Sequence, residues 1–167
     1  MPRRSAALGS IRLLVLDVDG VLTDGRLYYG PAGEQLKVFH VRDGAGIKAV
    51  IAAGIQVAVI SGRNSATTAT RCAELGISEV LQGVDAKRAA LLALCERCGV
   101  TPRQCACIGD DTPDIPLLQL AGLAVAVADA HPETRRAAHR CTTVAGGHGA
   151  VREVCDWLLA ARRTRAR

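Results

Sequence analysis

Two aspartates separated by one valine, Asp17-Val18-Asp19, stand at the end of a largely apolar run, Ile11-Arg12-Leu13-Leu14-Val15-Leu16. The run has strand length and no helical periodicity, so a buried strand would end by presenting two carboxylates at its mouth. The chain continues Gly20-Val21-Leu22-Thr23-Asp24-Gly25-Arg26. Its two glycines let the backbone turn and approach whatever the carboxylates hold. Aspartate is rarely buried without a partner, and two carboxylates a few ångströms apart repel by about 4 kcal/mol at an effective dielectric of about 20. A hard cation with oxygen ligands relieves that repulsion, and Mg²⁺ is the usual occupant of partly hydrated carboxylate sites.

Other apolar runs end in equally polar residues. Ile55 to Ile60 leads into Ser61-Gly62-Arg63, and Gln104 to Ile108 leads into Gly109-Asp110-Asp111 with Asp114 close behind; Lys87 opens a helical stretch just after Gly83-Val84-Asp85. In an open parallel sheet, ligands bind beyond the carboxyl ends of the strands. The set assembled there would be a carboxylate able to act as nucleophile, a second carboxylate, a hydroxyl, an ammonium and a further acidic cluster. Phosphoryl transfer needs such groups, with Mg²⁺ and lysine neutralising the equatorial oxygens opposite an in-line nucleophile.

The elements that must position these residues alternate. Strands are expected at 11–16, 55–60, 79–81, 104–108 and 123–127, and helices at about 43–53, 64–75, 85–98, 113–121, 132–138 and 149–162. That alternation predicts an α/β fold with a doubly wound parallel sheet. One stretch departs from it. Leu27-Tyr28-Tyr29, Gly30-Pro31-Ala32-Gly33 and Glu34 to Val41 read as a β-hairpin around a Gly/Pro turn, projecting beside the site. Such an apolar ribbon is marginal alone and wants a partner surface.

The chain of 167 residues has the length of one domain. We divide it into a flexible N-terminus over 1–10, a single domain carrying the strand-end residues over 11–160 and a basic tail over 161–167. Tyr28, Tyr29, Phe39 and Trp157 are its only aromatic residues, so the core must be aliphatic, as suits a parallel sheet covered by helices. The net charge of +5 owes much to Arg3-Arg4 and to the run from Arg162 to Arg167. Both are chain ends, without aromatics interleaved to stack bases, so no nucleic-acid partner is expected. No segment has the roughly 20 apolar residues of a membrane span, and the first residues lack the apolar stretch of a signal peptide. With seven cysteines, an odd number, this points to reduced thiols in a cytoplasmic protein.

At these residues a family resemblance emerges. Asp17-Val18-Asp19-Gly20-Val21-Leu22-Thr23-Asp24, Ser61, Lys87 and Gly109-Asp110-Asp111-Thr112-Pro113-Asp114 resemble, in order, the four motifs of the haloacid dehalogenase (HAD) phosphohydrolase superfamily. Phe39-His40-Val41-Arg42-Asp43-Gly44, Ser61-Gly62-Arg63, the segment from Val125 to Pro132 and that from Gly146 to Asp156 are similar to the 3-deoxy-D-manno-octulosonate 8-phosphate (Kdo 8-phosphate) phosphatase family. The likeness spans about residues 11–160. It implies a phosphoric monoester hydrolase of lipopolysaccharide precursor synthesis, with Asp17 as nucleophile forming an aspartyl-phosphate and Asp19 as general acid and base. It further implies Mg²⁺ held by Asp17, the Asp19 carbonyl and Asp110, with Ser61 and Lys87 on the phosphoryl oxygens and Asp111 and Asp114 orienting lysine and metal waters. The intervals from Asp19 to Ser61 and from Ser61 to Lys87 leave no room for a cap domain. The resemblance therefore implies a homotetramer whose neighbouring subunits cover the mouth. Arg63 and Lys37 are candidates for the sugar carboxylate, since a guanidinium can clamp one bidentately; Asp24 and Arg152 are further candidates at the substrate mouth.

Two other readings stay open: a phosphatase of another acidic sugar phosphate, such as a nine-carbon sialic-type sugar, and a non-catalytic HAD oligomerisation module. Asp24 and Asp43 could equally cap or turn the chain, and Asp85 is expected to cap the helix of Lys87. Cys95-x-x-Cys98 with Cys105-x-Cys107 falls on a helix and a strand rather than on zinc knuckles, so buried thiols are expected there. His40, His131, His139 and His148 lack ligand spacing.

Overall fold

The computed structural model describes residues 6–165. Every residue of the first strand, β1 (Leu13–Leu16), is buried, at 1 % exposure or less. Strand alternation sends these side chains to opposite faces of the sheet. Leu14 and Leu16 join a core with Val57, Val59, Ile108 and Val125, whereas Leu13 and Val15 join another with Ala58, Ile60, Cys105 and Cys107. Burying one leucine contributes about 2 kcal/mol, so β1 is secured from both sides.

After β1 come the hairpin strands β2 (Tyr28–Gly30) and β3 (Gly33–Leu36), then α1 (Val41–Ala52), β4 (Gln56–Ile60), α2 (Ala66–Leu75) and β5 (Glu79–Leu81). The second half runs α3 (Lys87–Cys98), β6 (Cys105–Gly109), α4 (Ile115–Leu118), β7 (Leu123–Ala126), α5 (Pro132–Ala137), β8 (Arg140–Cys141) and α6 (Ala150–Arg165). Six strands form one sheet in the order β5-β4-β1-β6-β7-β8, and every pairing in it is parallel. Residues of α1 and α6 cover one face and residues of α3 and α4 the other. This is the doubly wound α/β arrangement. β2 and β3 form a separate antiparallel ribbon. Between Asp19 and Ser61 lie only that ribbon, α1 and β4, and between Ser61 and Lys87 only α2 and β5, so no cap domain is inserted.

Several expectations need adjustment. The ribbon's second strand stops at Leu36 rather than continuing to Val41. The expected helix over 113–121 is a 3-10 turn at Thr112–Asp114 followed by the single α-turn of α4, because Pro113 and Pro116 remove two backbone donors. The edge strand β8, two residues long, was not anticipated. Of the ends set apart from the domain, residues 1–5, 166 and 167 lie outside the described residues. Leu8–Ser10 forms a 3-10 turn whose Leu8 packs on the core, and α6 runs on to Arg165. Cys72, Cys95, Cys105, Cys107 and Cys155 are buried thiols, and burial pushes each of them up, Cys72 to about 11.

Asp43, read from sequence as a local cap or turn, supports a distant helix. Its side chain is 1 % exposed, and its Oδ1 accepts the Arg152 backbone N–H at 2.8 Å in the first turn of α6. Burial raises its carboxyl above the ordinary value even though the N–H groups of Arg152, Gly149 and Val151 favour the charged form. A negative charge at a helix N-terminus is favourable. Asp43→Ala is therefore expected to lower unfolding free energy by about 2 kcal/mol, and Asp43→Asn, which keeps one acceptor, by less. Urea denaturation of the two variants measures both effects.

Candidate active site

The carboxyl ends of β1, β4 and β6 and the start of α3 meet around a cleft of about 450 Å³, lined by Asp17, Asp19, Ser61, Arg63, Lys87 and Asp110, with Asp111 and Asp114 on the β6 side. The turn after β1 winds about Val18, whose carbonyl accepts the N–H groups of Val21, Leu22 and Thr23 at 3.2, 2.9 and 3.0 Å. Thr23 Oγ1 accepts from Gly20 and Gly25. Gly20 adopts φ +85°, and a Cβ there would stand 2.0 Å from Asp110 Oδ2. The bare backbone at Gly20 is what lets Asp110 approach β1. A second glycine, Gly146, packs on the same turn; its Cβ would meet the Gly20 carbonyl oxygen at 1.8 Å.

The site divides into two charge clusters. In the first, Lys87 Nζ lies 2.6 Å from Asp114 Oδ1 and 3.0 Å from Asp17 Oδ1. Asp114 Oδ2 accepts the N–H groups of Asp110 and Asp111 at 3.0 and 3.4 Å. Oxygens of Asp17, Asp110 and Asp114 all lie within 4.8 Å of one another. Burial, and then repulsion from Asp114, raises Asp17 to about 6. Burial, and then repulsion from Asp17 and Asp114, raises Asp110 to about 8. Burial opposes the charge on Lys87, but Asp17 and Asp114 outweigh it and leave the ammonium above its usual value. Three carboxylates against one ammonium leave an excess of negative charge.

The second cluster surrounds Asp19. Lys37 Nζ contacts Asp19 Oδ1 and lies 3.3 Å from Glu34 Oε2. Arg63 Nη2 donates to the same Glu34 oxygen at 3.2 Å and to Tyr29 Oη at 2.9 Å, and Arg63 Nε is 3.8 Å from Asp19 Oδ2. Glu34 Oε1 accepts from Ser65 Oγ, the N-cap of α2, at 2.9 Å. Burial works against the charge on Glu34, but hydrogen bonds from Ser65, Lys37 and Arg63 hold its carboxyl below the ordinary value. Two anions and two cations balance.

Of the residues read from sequence, Asp17, Asp19, Ser61, Arg63, Lys87, Asp110, Asp111 and Asp114 thus share one cleft. Lys37 does not line it; its side chain is 2 % exposed and its ammonium contacts Asp19 and Glu34. Asp24 accepts the Arg26 N–H in a local turn. Arg152 pairs with Asp156 along α6, at 2.9 and 3.1 Å. Neither Asp24 nor Arg152 lines the cleft. Asp85 does line it but does not cap α3, whose N-cap is Ala86 without a side-chain hydrogen bond. Glu34 and Tyr29 escaped the sequence reading. Glu34 and Lys37, charged and three apart in an apolar ribbon, were the available signal.

A model of haloacid dehalogenase-like hydrolases matches residues 77–154. The 3-deoxy-D-manno-octulosonate 8-phosphate phosphatase KdsC of Escherichia coli (strain K12) is 50 % identical over 153 residues, covering 92 % of this chain and 81 % of that protein. The chain belongs to the 3-deoxy-D-manno-octulosonate 8-phosphate phosphatase family. The phosphatase of that name from Yersinia pestis superposes with TM-score 0.92 at 47 % identity, covering 94 % of this chain and 85 % of the other. The Moraxella catarrhalis phosphatase, in complex with magnesium ion, phosphate ion and KDO molecule, gives TM-score 0.92 at 42 % identity, over 95 % and 91 % of the two chains.

The residues present fit a hard divalent cation. Asp17 and Asp110 are oxygen donors that come within 4.8 Å of each other and of Asp114, burial and then mutual repulsion raise their proton affinity, and oxygen-only donor sets suit Mg²⁺. Asp114 is the third carboxylate of the group, yet Lys87 and the Asp110 and Asp111 amides already occupy both its oxygens.

Two outcomes follow for this phosphatase-family site. The unfolded chain loses carboxyl protons near pH 4, whereas folded Asp17 and Asp110 retain theirs to about 6 and about 8. Their contribution therefore makes the metal-free protein less stable as pH rises through that window. Mg²⁺ binds the ionised carboxylates, so its stabilising effect should grow with pH over the same range. Thermal unfolding in EDTA and in Mg²⁺ tests both slopes. Gly20→Ala, which drives a Cβ into Asp110, should weaken Mg²⁺ binding by about tenfold or more, as read by calorimetric titration.

Proposed function

We propose that this chain is a Mg²⁺-dependent phosphomonoesterase that hydrolyses Kdo 8-phosphate to Kdo and inorganic phosphate, a step toward lipopolysaccharide. One observation carries the reading: at a single strand mouth, Asp17 sits with Lys87 and Asp110 in a cluster with excess negative charge, while Asp19, two residues on, sits in a charge-balanced one. Half-identity to KdsC over nearly the whole chain supports the choice of sugar.

In this reading Asp17 is the nucleophile. A carboxylate oxygen bonds to phosphorus as the phosphorus–sugar oxygen bond breaks, and Asp19 gives its proton to the departing oxygen. Asp19 then takes a proton from water as that water attacks the aspartyl-phosphate, which releases phosphate and regenerates Asp17. Lys87 and Ser61 bind the phosphoryl oxygens, and Lys87 needs no further positioning because Asp114 already holds it. Asp17, the Asp19 carbonyl and Asp110 would hold Mg²⁺, with Asp111 and Asp114 orienting its surroundings. When bound, the ion neutralises charge on the transferring phosphoryl group. Arg63, 39 % exposed at the rim, is the residue assigned to the sugar carboxylate.

The same reading extends to assembly and location. Leu27, Tyr29, Leu36, Val38 and Val41 are exposed on and beside the ribbon, Val41 at 77 %. An apolar surface of this kind beside a capless mouth supports a homotetramer in which neighbouring subunits cover the cleft. Buried, unpaired thiols are in keeping with a reducing cytoplasm.

Phosphate release from Kdo 8-phosphate should require Mg²⁺ and stop on EDTA addition, and Asp17→Asn should lower kcat by on the order of 10⁴-fold or more. Undiminished activity in Asp17→Asn would overturn the mechanism. Equal rates on eight- and nine-carbon acidic sugar phosphates would overturn the substrate assignment. Light scattering decides the assembly, and a fully active monomer would contradict it.

A further inference from the structure

The cluster around Asp19 is a closed circuit. Asp19 Oδ1 meets Lys37, Asp19 Oδ2 faces Arg63 Nε, and both cations return to the same oxygen of Glu34. Lys37 therefore fixes Asp19 Oδ1, while Asp19 Oδ2, 3.8 Å from Arg63 Nε and not hydrogen-bonded to it, is the oxygen left to carry a proton. The Lys37 side chain is 2 % exposed. Burying an ammonium costs several kcal/mol unless it is paired with good geometry, and a ribbon needing only an anchor could use an apolar side chain there. Arg63 Nε is buried and makes no hydrogen bond, so Asp19 is the anion nearest to satisfying it. Glu34 is fixed in turn by Ser65 at the start of α2. The circuit is thus built from three chain segments, and the ribbon supplies two of its four charges.

We infer that Lys37 and Glu34 are positioning residues for Asp19, holding its carboxyl group by Oδ1 so that the proton carried on Oδ2 is aimed at the leaving oxygen. Neither lines the cleft that would hold the substrate. Lys37 acts directly on Asp19, and Glu34 acts through Lys37 and Arg63. The inference rests on the reading of Asp19 as general acid given above. Its chemical consequence depends on the leaving group. A sugar alkoxide departs badly unless protonated as its bond to phosphorus breaks, so it needs a well-aimed acid. A p-nitrophenolate departs without a proton. A misplacement of about 1 Å can cost about 10²-fold where a step needs alignment, and nothing where it does not.

The test compares first-turnover rates of sugar release from Kdo 8-phosphate and of nitrophenol release from p-nitrophenyl phosphate, for wild type, Lys37→Met, Lys37→Arg and Glu34→Gln, each loaded with Mg²⁺. Lys37→Met is expected to slow sugar release by about 10²-fold and nitrophenol release by no more than about twofold. Glu34→Gln should show the same selectivity in smaller measure, and Lys37→Arg should restore most of the loss. Both rates come from one preparation, so a partly unfolded variant lowers them together and leaves their ratio untouched. Equal loss on both esters, or none on either, overturns the positioning role while leaving the phosphatase assignment standing. A wild-type enzyme inactive on both esters overturns the assignment and the inference with it.

Discussion

The arrangement turns on an excess of like charge held at the ends of β1 and β6. Asp17, Asp110 and Asp114 bring carboxylate oxygens within 4.8 Å of one another, against the single ammonium of Lys87. Each close pair opposes the fold by a few kcal/mol at protein-like dielectric, and the cluster stays together only because its bases are rigid. β1 is buried on both faces and paired along its length to β4 and β6, and the turn after it is closed by three N–H groups on one carbonyl. About 2 kcal/mol per buried leucine, repeated along a central strand, outweighs the repulsion. The sheet supplies the stability that the site consumes.

Asp17 and Asp19 are two residues apart in one short turn, yet they belong to different electrostatic worlds. Asp17 looks toward β6 and α3, where negative charge is in surplus and burial lifts its proton affinity. Asp19 looks toward the ribbon and the loop after β4, where Lys37 and Arg63 meet it. Identical side chains thereby sit in opposite surroundings, one in a surplus of negative charge and one between two cations. The division follows from which neighbours each carboxylate faces.

Much of this was legible in the sequence because it is local. Apolar runs ending in Asp17, Ser61 and Asp110 mark strand ends, and in a parallel sheet strand ends converge. What stayed hidden depends on pairs distant along the chain. Glu34 meets Arg63 and Ser65, 29 and 31 residues away, and Asp43 meets Arg152, 109 residues away. No spacing rule reaches so far. Lys37 is read from sequence as a candidate for the sugar carboxylate, but its partners are Asp19, 18 residues away, and Glu34. Asp85 misled because an acidic residue before a helix reads as a cap, whereas α3 begins without one. β8, at two residues, is too short for any period to register.

The ribbon joins β1 to α1 without entering the six-stranded sheet, which makes it look like a part that evolution could exchange freely, as loops on rigid scaffolds often are. Glu34 and Lys37 deny it that freedom. A lineage that reshaped the ribbon would at the same stroke disturb the cations around Asp19, so the form of the ribbon and the placement of that carboxyl group are inherited as one trait. Divergence within such a scaffold has to proceed by paired changes, in which each change to the ribbon arrives with a repaired circuit around Asp19.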